Sequence, residues 1–284
     1  MTYSSAGQLV VGPAAVEDWP VISGWAHDEG WNPGLSDARS FFAQDPGGFF
    51  LGRLDGEPVS AVSVVNYGDH YAFLGCYLVR PDLRGRGHGL ATWEAARAHA
   101  GDRTIGLDGV VAQQGNYRKS GFVLSHTTFR HTGVLPPRTT TGVRGIRPVD
   151  HEPIAAYDSA CYPADRPRFL DQWLTTDGHR AFVRLDAGRL AGYAVIRPAA
   201  GGILRIGPLF ANTPADAEAL YGALAEEAGT AQVAVDVPES NPAAVALVRS
   251  LGLTPSFETA RMYTGPVRPI AGKCIYGVTT LELG

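Results

Sequence analysis

The sequence predicts an α/β fold of the α+β mixed-sheet kind, built as two units in tandem, each a twisted mixed β-sheet flanked by helices. Three observations carry this. Residues 71–100 read as a strand, a glycine-rich turn and a helix in immediate succession. The first half as a whole reads βααβββαβαβ, an order that puts helices on the faces of a mixed sheet. After a Pro/Thr/Gly-rich link the pattern begins again, with Arg53-Leu54-Asp55 returning as Arg184-Leu185-Asp186.

The first of these stretches organises the chain. Tyr71 to Val79 is an apolar run long enough for one strand, and Pro81 and Asp82 stop it. Arg84-Gly85-Arg86-Gly87-His88-Gly89 follows, and then Leu90, Trp93, Ala96 and Ala100 recur at helical spacing. This arrangement suits a phosphate group. The first N–H groups of a helix lack internal partners and carry the positive end of its dipole. Glycines let the backbone come close without a Cβ, and arginines add charge-assisted hydrogen bonds. A Walker loop would end in Gly-Lys-Ser/Thr, which is absent here. A Rossmann fingerprint would space its glycines differently and follow the first strand of its unit.

The other elements of the first half follow in order. Leu9 to Val11 reads as a short strand, and Val16, Trp19, Val21, Ile22 and Trp25 mark a buried helix face. Glu29 to Gly34 is a rigid turn containing Pro33 and two glycines. Asp37 to Ala43 is a second helix, stopped by Asp45-Pro46-Gly47-Gly48. Phe49–Leu54 and Val59–Tyr67 are strands joined at Asp55-Gly56, a hairpin signal. Beyond the loop and its helix come a short strand, Thr104 to Leu107, a short helix, Gln113 to Ser120, and a last strand from Gly121 to about Phe129.

With these elements in place, Arg84, Gly87 and Gly89 resemble the Arg/Gln-x-x-Gly-x-Gly/Ala pyrophosphate loop of the GNAT superfamily of acyl-CoA N-acyltransferases. Tyr117-Arg118-Lys119-Ser120-Gly121-Phe122 is similar to that family's closing Tyr-x-x-x-Gly-Phe. The resemblance covers residues 8–132. It implies an N-acetyltransferase that uses acetyl-CoA as donor, needs no metal and forms no covalent enzyme intermediate. It further implies that residues Arg84, Gly85, Arg86, Gly87, His88 and Gly89 hold the pyrophosphate, and that the backbone of Tyr77, Leu78 and Val79 pairs with pantetheine. Tyr117 would protonate the departing thiolate; the alternative is an aromatic packing role at a helix end. One departure stands out. Many members carry Asn seven residues before that tyrosine, and here the position is Val110.

Transfer to an amine also requires the amine to be neutral. Glu29, Asp108 and His70 lie in segments that could face the acceptor, and Glu29 is the preferred base; a water chain could replace any of them. Trp31 and Asn32, in the rigid turn, are candidate acceptor contacts. Cys161-Tyr162-Pro163 and the charges Asp165, Arg166 and Arg168 suit a helix start better than a ligand site, and Trp173 suits a core.

The expected division is a catalytic unit at residues 1–134, a linker at 135–143 and a second unit at 144–284. In the second unit Ile146-Arg147-Pro148 would open the sheet and Ile203 to Phe210 would match the loop-bearing strand. The arginine–glycine loop has been replaced there by Ala215-Asp216-Ala217-Glu218, whose acids repel a pyrophosphate. Val248 stands at the tyrosine position, so this unit is expected to be inactive, although Asn241-Pro242-Ala243 keeps the family's asparagine element. The tail, Tyr276 to Gly284, alternates like an edge strand.

Composition narrows the functional classes. The net charge of −4 argues against nucleic acid as a partner. No run approaches a membrane span, and MTYSSAGQLV has no basic or apolar leader character. Three well-separated cysteines, Cys76, Cys161 and Cys274, fit reduced residues of a cytoplasmic protein. The arginine, alanine, glycine and proline bias fits a GC-rich bacterial source. The expectation is a monomer or homodimer acting on a small-molecule amine. An acyl-CoA sensor without turnover and a protein lysine or N-terminal acetyltransferase are the rivals.

Overall fold

Short strand β1 (Leu9–Pro13) begins a single thirteen-stranded sheet that runs through both halves of the chain. The computed structural model describes residues 7–284; residues 1–6, part of the stretch read as lacking a leader, lie outside it. In the first half come α1 (Trp19–Asp28), α2 (Asp37–Gln44), β2 (Phe49–Leu54), β3 (Glu57–Tyr67), β4 (Tyr71–Val79), α3 (His88–Arg97), β5 (Thr104–Val110), α4 (Gln114–Lys119) and β6 (Val123–Val134). The second half repeats the order as β7 (Val143–Gly145), α5 (His151–Cys161), α6 (Pro167–Trp173), β8 (Arg180–Asp186), β9 (Arg189–Pro198), β10 (Leu204–Ala211), α7 (Pro214–Ala228), β11 (Gln232–Pro238), α8 (Pro242–Ser250) and β12 (Thr254–Tyr263), and adds β13 (Ile275–Gly277). Among the described residues no helix is long and apolar enough to cross a membrane.

The sheet order is β1-β2-β3-β4-β5-β12-β6-β11-β10-β9-β8-β7, with β13 added onto β10. The two halves therefore exchange their last strands. β12 pairs with β5 of the first half, and β6 pairs with β11 of the second. β6 and β12 pair with each other at the centre. This explains why β6 runs to Val134, past the expected end near Phe129: its second stretch is paired on both sides. All neighbouring pairs are antiparallel except β4–β5 and β10–β11.

Those two parallel pairs open in the same way. β4 pairs with β5 only from Tyr71 to Leu74, and β10 pairs with β11 only from Leu204 to Ile206. The next residue is a glycine in each, Gly75 and Gly207, and beyond it the strands diverge. Residues 276–284 lie buried against both openings. A Cβ on Gly75 would collide with the main chain of Glu282, and a Cβ on Gly207 with that of Val278 and Thr279. The tail is thus not the edge strand its alternation suggested. Only β13 pairs, with β10, and the rest is an irregular buried segment, some of whose backbone groups bond to side chains. Tyr67 and Tyr162 hydroxyls donate to the Leu283 carbonyl at 3.2 and 2.7 Å, and Arg166 reaches Thr279 Oγ1 at 2.7 Å.

Among the described residues the largest of three apolar clusters is built from both halves. Phe41 of α2 stacks on Trp173 of α6 with ring centroids 6.4 Å apart, and Trp19, Phe49, Phe73, Tyr162 and Tyr193 belong to the same cluster. Inside it Asp37 accepts from Arg197 Nε at 2.8 Å, a buried ion pair between α2 and β9. The segment expected as a linker packs against α7, where Thr140 donates to the Ala219 carbonyl at 2.9 Å. Its last residue, Val143, starts β7, so the first strand of the second half is Val143–Gly145 and not Ile146–Pro148.

Candidate active site

The loop between β4 and α3 has the conformation its glycines permit. Gly85 and Gly87 have φ of 73° and 86°, and Gly87 caps α3. Added Cβ atoms there would meet nothing, so backbone angle is the reason for glycine. Gly89 is different: a Cβ would strike Val79 and the Tyr77 hydroxyl. No side chain caps α3, which leaves the first N–H groups of a ten-residue helix facing outward.

A groove of about 1110 Å³, including its open mouth, runs beside this helix start. Tyr77, Leu78, Val79, Arg84, Gly85, Gly87, His88 and Gly89 line it, together with Glu29, Trp31, Gln113 and Tyr117. Of the expected loop contacts Arg86 alone is turned away, donating to the Asp82 carbonyl at 3.2 Å. Arg84 is half-exposed, donates to the Val79 carbonyl at 3.1 Å and forms an ion pair with Glu29. Among the described residues the β5-facing edge of β4 has no sheet partner beyond Leu74. Gln113 brings a polar side chain to the groove near Val110, where the family's asparagine is missing.

An inner pocket of about 450 Å³, again including its mouth, fills the opening between β4 and β5. Trp31, Tyr77, Val110 and Tyr117 line both cavities, so the groove and the pocket meet at these four residues. Leu74, Gly75, Cys76, Leu107, Asp108 and Gly109 form the floor. Phe257 and Thr259 of β12, with Leu281 and Glu282 of the tail, come from the second half.

Tyr117, on α4 beside β5, reaches the junction next to Trp93 of α3. Its ring stacks on Trp93, with centroids 5.8 Å apart, and Gly109 makes room for it: a Cβ at 109 would run into the ring. Burial, with a smaller contribution from nearby Tyr77, pushes its phenol well above the usual tyrosine range. The group therefore stays protonated at neutral pH and available as a donor.

The acids divide clearly. Asp108 lines the inner pocket, but both its oxygens accept from Arg261 of β12, at 2.8 and 2.6 Å. Glu29, the base preferred from the sequence, is held by Arg84 on the groove side and is absent from the inner pocket lining. His70 lies in the β3–β4 turn on a separate recess. Asn32, the other expected acceptor contact, is turned outward. In a left-handed conformation with φ of 56°, it bonds to His27 Nδ1 at 2.8 Å and to the Ala200 carbonyl at 3.2 Å. Trp31 faces inward, because Arg130 and Arg205 donate to its carbonyl at 2.7 and 3.2 Å. Arg166 is buried against Asp158, and Asp165 is tied to Ser159 and Arg268, so that cluster is structural.

Glu282 was not anticipated. It is 2 % exposed, and neither carboxylate oxygen has a hydrogen-bond partner among the described residues. The available signal was weak: a single charge in the otherwise uncharged run Ile275–Gly284.

Known proteins resemble this chain along most of its length. Residues 15–122 match the model described as acetyltransferase (GNAT) family, and residues 154–277 match an acetyltransferase (GNAT) domain model. Over 275 residues, 96% of this chain and 93% of its relative, the sequence is 35% identical to holothin acyltransferase of Pseudoalteromonas sp. (strain SANK 73390). A putative acetyltransferase from Pyrococcus horikoshii superposes with a TM-score of 0.84 at 22% identity, covering 100% of this chain and 98% of that one. A tandem GNAT protein from the clavulanic acid biosynthesis pathway, solved without AcCoA, gives 0.63 at 20% identity, covering 91% and 99%. The chain belongs to the GNAT family of acyltransferases and carries two of its domains in tandem.

Proposed function

We propose that the first half transfers an acetyl group from acetyl-CoA to the amine of a small molecule, directly and within one ternary complex. The observation that carries this reading is the junction at Trp31, Tyr77, Val110 and Tyr117, where a long groove meets an inner pocket. The groove fits an extended anionic donor. It offers an uncapped helix N-terminus for a pyrophosphate, Arg84 beside it, and an unpaired strand edge for the amides of pantetheine. The pocket fits a compact acceptor, and a relative named holothin acyltransferase supports acyl transfer as the reaction.

Holding both reactants at the junction turns a bimolecular encounter into a positioned one. An N–H on the free edge of β4 would polarise the thioester carbonyl. Attack by the neutral amine forms the C–N bond and breaks the C–S bond, and Tyr117 gives its phenolic proton to the leaving thiolate. The second half supplies part of the pocket wall and no second donor site. Its corresponding opening is occupied by β13, and the start of α7 is closed by Thr213, whose Oγ1 accepts from the Asp216 N–H at 3.2 Å.

Steady-state thiol release together with acetyl-CoA binding, on wild type and Tyr117→Phe, tests this. Loss of about 100-fold in kcat with unchanged acetyl-CoA affinity is expected. Full turnover in the variant would remove Tyr117 from the mechanism.

A further inference from the structure

We infer that Glu282, in the tail of the second half, is the group that receives the acceptor amine and takes its proton. The inference rests on the acetyl-transfer reading above and adds to it both a base and a class of acceptor.

Of the buried side-chain oxygens and nitrogens in residues 276–284, the two carboxylate oxygens of Glu282 are those without a hydrogen-bond partner among the described residues. The Leu283 N–H donates to Thr280 Oγ1 at 2.9 Å, the Gly284 N–H donates to the Thr280 carbonyl at 3.1 Å, and the Leu283 carbonyl accepts from two tyrosines. The backbone of Glu282 rests on Gly75, where no side chain could fit. A rigidly placed, buried carboxylate with both oxygens free is costly unless something pairs with it. It lines the same pocket as Tyr117. The other carboxylate there, Asp108, is already saturated by Arg261.

The charges around Glu282 fit a group that accepts and releases a proton. Arg130 and Arg205 share a single carboxylate, Asp236, and Arg197 is matched by Asp37. An ionised Glu282 balances the extra guanidinium. Burial pulls the other way and, helped by Asp37 and Asp236, raises its pKa against the pull of Arg205 and Arg130. The Cys76 thiol lines the same pocket and stays protonated, its pKa pushed up by burial and, less, by Glu282.

The proton balance closes. The acceptor enters as an ammonium and gives one proton to Glu282. Its lone pair attacks the thioester carbonyl, the C–N bond forms and the C–S bond breaks. Tyr117 protonates the thiolate, and the nitrogen's second proton restores the phenol. Glu282 returns its proton to solvent as the amide leaves. Apolar walls from Trp31, Leu74, Leu107, Phe257 and Leu281 select an acceptor with a compact, flat apolar body, and the free hydroxyl of Thr259 offers one polar contact. Benzylamine has this chemistry and serves as the probe.

The test compares wild type with Glu282→Gln, near-identical in shape, using acetyl-CoA and benzylamine across pH 6 to 9. We expect kcat/KM for benzylamine to fall about 100-fold and to lose its rise with pH, with acetyl-CoA affinity unchanged. Because the buried carboxyl has a raised pKa, ionising it opposes folding as pH rises above the usual glutamate value. The variant should therefore melt higher than wild type at pH 8. Turnover in Glu282→Gln within about threefold of wild type, with the same pH profile, would overturn the inference and leave the acetyl-transfer reading standing. So would a wild type that binds acetyl-CoA but shows neither acetylation of benzylamine nor stabilisation by it. Failure of wild type to bind acetyl-CoA would instead overturn the reading beneath it.

Discussion

Gly75 lies directly beneath the main chain of Glu282, so the strand that borders the groove also fixes the position of a tail residue from the other half. The contact is possible because β4 and β5 part at Leu74 and the tail packs into the opening. Replacing Gly75 by alanine places a Cβ against a backbone carbonyl that no rotamer change can move. The expected cost is about 1–3 kcal/mol of stability. Turnover should fall more than acetyl-CoA affinity, because the displaced group is in the inner pocket. Thermal melting and kinetics on Gly75→Ala check this; unchanged kinetics would separate the tail from catalysis.

Glu29 gives a prediction of the opposite sign. Its ion pair with Arg84 is solvent-exposed and worth at most about 1 kcal/mol. A donor pyrophosphate would compete with Glu29 for that guanidinium. Glu29→Gln is therefore expected to leave kcat intact and to bind acetyl-CoA as well as wild type or up to about fivefold more tightly. A large fall in kcat would restore Glu29 as the base.

The buried pair Asp37–Arg197 ties the two halves together, and its pH dependence has a definite direction. Burial alone would raise the Asp37 carboxyl, but Arg197, with His179 beside it, outweighs this and holds it far below the usual carboxylate range. A depressed pKa contributes stability above the unfolded value of about 3.9 and loses it as pH falls further. Wild type should therefore lose stability steeply below about pH 4. Asp37→Asn should lack this component and, with Arg197 left buried and unpaired, be about 3–5 kcal/mol less stable at neutral pH. Melting curves from pH 3 to 8 on both proteins decide it.

Local features were readable from the sequence. The Arg84–Gly89 loop announces itself through glycines that must adopt positive φ and through the helical spacing after them, and the structure gathers most of its residues along one groove. Tyr117 and Trp31, singled out in the sequence, line both cavities; a short helix and a proline-containing turn fix them close to their own sequence neighbours. Contacts between distant segments were not readable. The alternation of β6 is the same whether its partner is β5 or β11, so strand exchange leaves no mark in the sequence. Glu29, preferred as base because its segment could face the acceptor, lines the groove and pairs with Arg84. Glu282 lies far from every motif and reaches the pocket only because the tail folds back between β4 and β10.

The measurement that tests the account most directly is melting temperature with and without saturating acetyl-CoA, on wild type and on Gly87→Glu. Ligand at about 100 times its Kd should stabilise wild type by about 2.7 kcal/mol. The variant, with a negative charge at the α3 start and strain at a φ of 86°, should show none of this gain. A gain that persists in Gly87→Glu, or no gain in wild type, would contradict donor binding at the β4–α3 loop.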